Sequence, residues 1–404
     1  MTGVVACYFL CVLIGYWCRR PIYLGTLDPL KLLSLQEGAW AATVGWLYTQ
    51  DSLTEDQVVV FALSLSLWWL IWALICKVGA GNYRLSMLIL WHRVASLSKY
   101  RVGVVSTLYV AAALVFATVS ILLGGGGDNR IDIFKLLRPL EGFVTILAPL
   151  VFFRLLISKH RLRIFALGAL CVMLIISGGK GAIFSLFFPI TAAELVGRIR
   201  FNKRSIVGAA VFVIAGISIS IAANYGATSP SEILSILVNR LLMEGDIYIL
   251  ALANSGLDSV TVTSFPSYIF GPILKALMLP FQVDQNIGSQ IASAVGGEEV
   301  PTGPNGQWPV LLMAYGLTAN WEILSLSIIF FTLSICLKMF LLDPNRTRKS
   351  SIAIAFPAGS FVLQFPQTFF ADPSYQFVYL VHMIFVAIVL FILFAYSPGK
   401  KCPT

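Results

Sequence analysis

Charge is scarce in this chain. Asp, Glu, Lys and Arg make up 12% of its 404 residues, against roughly 25% in an ordinary soluble domain. That shortage excludes a soluble globular protein. The weak alternating segments of about ten residues that mark a transmembrane β-barrel are missing as well. Cysteine is sparse and badly placed for chemistry: Cys7, Cys11, Cys18, Cys76, Cys171, Cys336 and Cys402 fall within apolar runs or at their basic ends. No metal-ligand spacing and no disulfide framework follows from them, so they read as soft packing residues and neither a metal nor a cofactor is expected. Internal repeats and low-complexity tracts are also lacking, which weighs against the repeated halves of many transporters. The net charge of +9 comes with no nucleic-acid-binding motif. The arginines near the first apolar run, Thr2–Trp17, follow it rather than precede it. That order is the reverse of a secretory signal, and a retained first span is expected.

What the chain has instead is long apolar runs with basic ends. Positive clusters fall at Arg19–Arg20, Lys77–Arg101, Lys159–Arg163, Arg198–Arg204, Arg346–Lys349 and Lys400–Lys401, with Lys31 extending the first and Lys338 flanking the fifth. A helix of about 20 apolar residues spans a bilayer core of roughly 30 Å, and short cytoplasmic loops are enriched in Lys and Arg. These rules predict an all-α bundle of eleven transmembrane helices, at about 2–18, 33–49, 57–76, 102–123, 141–158, 163–177, 182–197, 205–222, 320–341, 351–367 and 376–396. The second carries Glu37 and is the weakest, but charge parity requires it. The amino terminus is then outside and the carboxy terminus in the cytoplasm. Of the 28 Lys and Arg residues, all face the cytoplasm except Arg154, at a span end, and Arg130, Lys135, Arg138, Lys180, Arg240 and Lys275, which are exported. Many acids sort the other way, among them Asp51, Glu55, Asp56, Asp128, Asp132, Glu244 and Asp246.

One exported segment, about 224–308, is far longer than an ordinary connection, which points to structure or function of its own. Ser229-Pro230-Ser231-Glu232 reads as a capping box with proline at the first helical position. The helix it opens is expected to stop near Asn254, at Ser255-Gly256. Phe265–Phe281, broken by Pro266, Pro272 and Pro280, reads as interfacial or re-entrant, and the glycine-rich stretch Gly288–Trp308 as mobile.

The exported cations are the first candidates for chemistry. Lys180 sits in Ile176-Ser177-Gly178-Gly179-Lys180-Gly181-Ala182, a turn where backbone N–H groups can approach a phosphate and the ammonium can neutralise it; otherwise it contacts lipid headgroups. Arg240 and Glu244 are four apart on the expected loop helix. They form either a surface pair worth a few tenths of a kcal/mol or an inward guanidinium fork suited to phosphate. Asp246 and Tyr248 follow closely, and Glu244 or Asp246 could take a proton from a sugar hydroxyl. Arg130 and Arg138 flank Asp132 and Lys135, as an anion site or a salt-bridged cluster. His382, in the outer third of the last span, is a general-base candidate because ionisable groups within membranes are functional by default. Trp308, Trp321, Phe369, Phe370, Tyr375 and Phe377 line the outer rim, where an aromatic belt and sugar stacking look alike.

In these features the chain resembles the Wzy-type O-antigen polymerases, which polymerise oligosaccharide repeat units at Gram-negative inner membranes. The resemblance rests on the eleven-span layout with its long loop, on Ser177–Ala182, on Arg240 followed by Gly245-Asp246-Ile247-Tyr248, and on Pro301-Thr302-Gly303-Pro304-Asn305-Gly306 leading into Trp308–Gly316. Lysine stands at 180 where the family usually has arginine. The resemblance implies a metal-independent, inverting-type glycosyl transfer at the periplasmic face. A glycan would leave its undecaprenyl pyrophosphate carrier and join the terminal sugar of an incoming lipid-linked repeat. Lys180, Arg240, Arg130, Arg138 and Tyr248 would bind substrate and pyrophosphate; His382, Glu244 or Asp246 would act as base. Membrane lipid surrounds such an enzyme, and a chain-length regulator protein can accompany it. An O-antigen ligase shares the layout, and a transporter or flippase for lipid-linked glycans is the alternative from another class. Ionisable groups gathered at the outer face rather than at mid-depth favour chemistry over translocation.

Overall fold

In the computed structural model the described residues are 2–122, 130–158, 187–200, 229–233, 246–260, 287–296, 332–339, 353–360 and 373–395, with single positions at 207–208, 211, 215, 218, 310, 312–313, 341–342 and 362. All regular structure among them is helical. The long helices are α1 (Thr2–Arg19), α2 (Leu30–Thr49), α3 (Glu55–Ala95), α4 (Lys99–Leu122), α5 (Arg130–Ile157), α6 (Phe187–Leu195), α7 (Ile287–Gly296) and α8 (Pro373–Ala395). Two stretches, Thr2–Ile22 and Glu55–Leu74, are long and apolar enough to cross a membrane. Arg101–Phe116, Ile146–Ile157 and Leu380–Leu393 are shorter apolar helices. The finding is therefore an all-α chain with two such helices among the described residues, coarser than an eleven-span bundle. The predicted span 163–177 lies outside the described residues, as do parts of 182–197, 205–222, 320–341 and 351–367.

Local chemistry accounts for the starts and stops. The Asp28 carboxylate accepts the N–H of Leu30 at 2.9 Å and of Leu24 at 2.6 Å, folding the 20–29 link back and satisfying a free donor at the head of α2. Thr54 and Gln57 form a reciprocal capping box on α3, with Glu55 and Asp56 in its first turn, where negative charge suits the helix dipole. The loop helix starts as expected: Ser229 Oγ accepts from Glu232 N–H, and Glu232 Oε2 from Ser229 N–H, both at 3.2 Å. The stop expected at Ser255-Gly256 is present as well, with Ser255 left-handed at φ 54° and Gly256 beyond; residues 234–245 lie outside the described residues.

Three elements differ from the sequence expectation. Helix α3 does not stop at 76 but runs 41 residues, about 60 Å at 1.5 Å per residue and twice a bilayer core. Its second half buries Tyr83, Met87, Leu90, Trp91 and Val94, an apolar stripe at helical spacing that packs inward. Helix α5 begins at Arg130 rather than 141, so the basic cluster expected in a loop lies on its first turns. The stretch read as mobile from Gly288 opens as α7, which buries Ile287 and Ile291.

The core gathers around α3. Trp91 meets Phe153 of α5 at 4.8 Å between ring centroids and Phe356 at 6.1 Å. Phe143 of α5 meets Phe385 of α8 at 6.3 Å, and Tyr109 of α4 meets Phe152 at 6.5 Å. Large apolar side chains also point outward, among them Phe9, Leu13 and Trp17 on α1, Leu63 and Leu70 on α3, and Phe385 and Ile388 on α8. Polar groups are meanwhile buried. Extended apolar faces of this kind mark contact with lipid or another apolar partner.

Candidate functional site

The most developed polar arrangement among the described residues is one that the sequence had presented as two unrelated facts. Arg19, at the end of α1, looks like a cytoplasmic topology charge, and Glu37 like a blemish in α2. The structure pairs them, and both side chains are fully buried. Arg19 Nη1 donates to Glu37 Oε1 at 2.6 Å and Nη2 to Oε2 at 2.7 Å, with Nη2 also donating to Ser34 Oγ at 2.9 Å. The indole N–H groups of Trp68 and Trp69 donate to Oε1 and Oε2 at 2.9 and 3.0 Å. Four donors thus occupy the carboxylate's lone-pair sites, the condition under which a buried charge is tolerated. Gly15 makes room for this: a Cβ there would stand 1.9 Å from Glu37 Oε2. At Gly38 a Cβ would stand 2.9 Å from the Tyr8 carbonyl oxygen, so α1 and α2 touch backbone to backbone.

One turn further along the same face of α2 lies a second buried group. The face runs Leu33, Ser34, Glu37, Trp40, Ala41, Val44 and Leu47, all buried. The Trp40 ring lies 5.9 Å from that of Tyr248, which in turn meets Phe61 of α3 edge-on at 5.1 Å. Tyr248 is 0% and Trp40 1% exposed, yet neither the Tyr248 hydroxyl nor the Trp40 Nε1 has a hydrogen-bond partner among the described residues. Tyr248 lies at the end of the α-helical residues Asp246–Tyr248, which run on into a π-helical turn over Ile249–Ala253. Gln57 Nε2 ties this turn to α3 by donating to the Leu252 carbonyl at 3.2 Å.

The opposite ends of the helices are joined by cations. Arg154 reaches the carbonyls of Val94, Ala95 and Leu97, serving as a side-chain cap for the last turn of α3. Arg93 donates to the Leu341 carbonyl, and Lys338 Nζ donates to Asn82 Oδ1 at 3.0 Å. Beside them the 20–29 link sits on the end of α6. Thr26 donates its N–H and hydroxyl to Glu194, and Thr191 Oγ1 donates to the Leu27 carbonyl at 3.0 Å. Burial pushes the Asp28 carboxyl up to about 6; hydrogen bonds from Leu24 and Leu30 pull it down, as does Lys31, and Glu194 opposes them.

The sequence-derived candidates fare unevenly. Lys180, Arg240 and Glu244 lie outside the described residues. Arg130 and Arg138 fall on the first three turns of α5, and Asp246 lies in the helical residues just before the π turn. His382 lies half-buried in α8, one turn before Phe385. Tyr248 is brought against Trp40 and Phe61, two residues that the sequence reading did not select. Arg154, half-buried at the end of α5, caps a neighbouring helix. The signal for the ion pair was present in Glu37, since an acid within an apolar run asks for a partner. Among the described residues no group of three or more His, Cys, Asp or Glu gathers as a metal would need. No protein-family model, curated protein or solved structure matches the chain.

Proposed function

We propose that this chain is a multi-pass integral membrane glycosyltransferase of the O-antigen polymerase type, working at the periplasmic face of a Gram-negative inner membrane on undecaprenyl-pyrophosphate-linked repeat units. The observation that carries the reading is the sorting of charge. Removing the cytoplasmic Lys and Arg leaves Lys180 and Arg240 exported, in the two segments where the family resemblance also falls. A departing pyrophosphate concentrates negative charge, and fixed cations lower the barrier by meeting that charge as it develops. A carboxylate at 244 or 246, or His382, takes the acceptor hydroxyl's proton.

Side-to-side consistency supports the layout. Groups in cytoplasmic links or at the cytoplasmic ends of expected spans meet one another (Thr26 with Glu194, Arg154 with Ala95, Arg93 with Leu341), while Gln57, at the outer end of its span, meets exported Leu252. The outward apolar faces fit helices that stand in lipid, and a groove between such helices is where the lipid tails of both substrates would lie.

The deciding experiment is deletion of the coding sequence followed by gel analysis of surface polysaccharide. A polymerase predicts loss of the ladder with a single repeat still capped on the lipid core. No repeat at all on the core would assign the chain to ligation or flipping instead, and an unchanged ladder would remove it from this process.

A further inference from the structure

Two polar groups buried side by side without partners need a reason. An unmet buried donor is destabilising, and such groups are rare enough that each calls for a cause. Here the Tyr248 hydroxyl and the Trp40 indole N–H are both unmet among the described residues, and their rings touch. The π turn that follows Tyr248 is a second irregularity at the same place, of a kind often found at functional sites. Among the described residues the polar tie between this turn and α3 is a neutral hydrogen bond, Gln57 to Leu252.

We propose that the 246–253 segment is a latch, and that Tyr248 inserted against Trp40 and Phe61 is the closed form of a substrate crevice between α2 and α3. Lifting the latch bares aromatic faces and two hydrogen-bond donors. That combination fits an oxygen-rich group with a flat apolar side, stacked on a ring and accepting from the indole and the phenol. The proposal rests on the glycosyltransferase reading, which supplies such a group in two forms, the sugars of the repeat unit and the pyrophosphate oxygens. It adds Trp40 and Phe61, from the membrane-spanning part of the chain, to a site otherwise drawn on exported loops. The closed state is held below its full stability by its two unmet donors, so a ligand that satisfies them favours the open one.

The test uses the full chain in nanodiscs. Two lipids are titrated: undecaprenyl pyrophosphate alone, and the lipid-linked repeat extracted from cells lacking this chain. Tyr248→Phe and Trp40→Phe are each compared with wild type. Each removes a donor and keeps an aromatic ring, and thermal unfolding verifies that the variants are folded. The expected result is affinity three- to tenfold weaker in each variant, about what one neutral hydrogen bond supplies. Weakening towards both lipids assigns the pyrophosphate as the partner; weakening towards the repeat alone assigns the sugars. Ligand should also speed hydrogen exchange at amides 246–253. Folded variants that bind both lipids as tightly as wild type would overturn the crevice while leaving the glycosyltransferase reading in place. A wild-type chain that binds neither lipid would overturn both, and exchange at 246–253 unmoved by a bound lipid would overturn the latch.

Discussion

Two buried polar groups sit one turn apart on the same face of α2, and they are built on opposite terms. At Glu37 every acceptor site is used, by a guanidinium fork and two indoles. At Trp40 and Tyr248 two polar atoms are enclosed and left unmet. A carboxylate with every acceptor site used fixes geometry and offers nothing to a ligand; an unsaturated neutral pair costs stability unless something else answers it. The first therefore reads as the clamp that holds α1, α2 and α3 together, and the second as the place where the structure expects company.

The clamp can be broken most severely by removing one charge. Arg19→Leu or Glu37→Leu alone leaves the other charge buried and should cost about 3–5 kcal/mol, whereas the double variant should recover much of that loss. Thermal unfolding of the four proteins in one detergent gives the cycle. Two singles that are no worse than the double would remove the clamp from the account.

A second prediction concerns pH at the link that feeds the clamp. Because Asp28 is pushed up to about 6 from 3.8 by burial, the native state holds its proton more tightly than the unfolded chain between those values. Its contribution to stability is complete below about pH 4 and is lost as pH rises through 6, by up to roughly 3 kcal/mol. Plotted as the difference between wild type and Asp28→Ser, unfolding temperature should fall over that window and level off above it. A difference that rises with pH would contradict the burial argument.

The finest probe of the comparison is one substitution made twice. Trp68→Phe removes a donor from a buried carboxylate, a bond worth about 1.5–3 kcal/mol because its acceptor is charged. Trp40→Phe removes a donor that bonds nothing among the described residues. Both lose the same ring volume, so the former should be the more destabilising by about the value of the bond, and equal losses would erase the distinction.

Much of this architecture is legible in the sequence. The ends of α1 and α2 and the start of α4 fall within about three residues of the expected spans, and the Ser229–Glu232 box and the Ser255-Gly256 stop appear where their residue types place them. What escapes is what depends on tertiary company. Arg19 beside Arg20 looks like any basic flank until α2 brings an acid to it from 18 positions away. The extension of α3 is hidden because span counting stops at the first cation, while Tyr83, Met87, Leu90 and Trp91 repeat at helical spacing past Lys77. The Thr54–Gln57 box is legible in the same way, from a threonine three residues before a glutamine at the head of an apolar run. Of the candidate site, the sequence supplied Tyr248 but not its neighbours, since Trp40 and Phe61 look like ordinary apolar residues within spans.

The proposed chemistry stands or falls with the exported cations. The direct measurement is the polysaccharide ladder of cells carrying Lys180→Ala together with Arg240→Ala, with membrane protein matched to wild type by blot. The ladder should collapse to a single repeat on the core, because the departing pyrophosphate has lost its two fixed positive charges. A full ladder at normal protein level would contradict a pyrophosphate site at the periplasmic face.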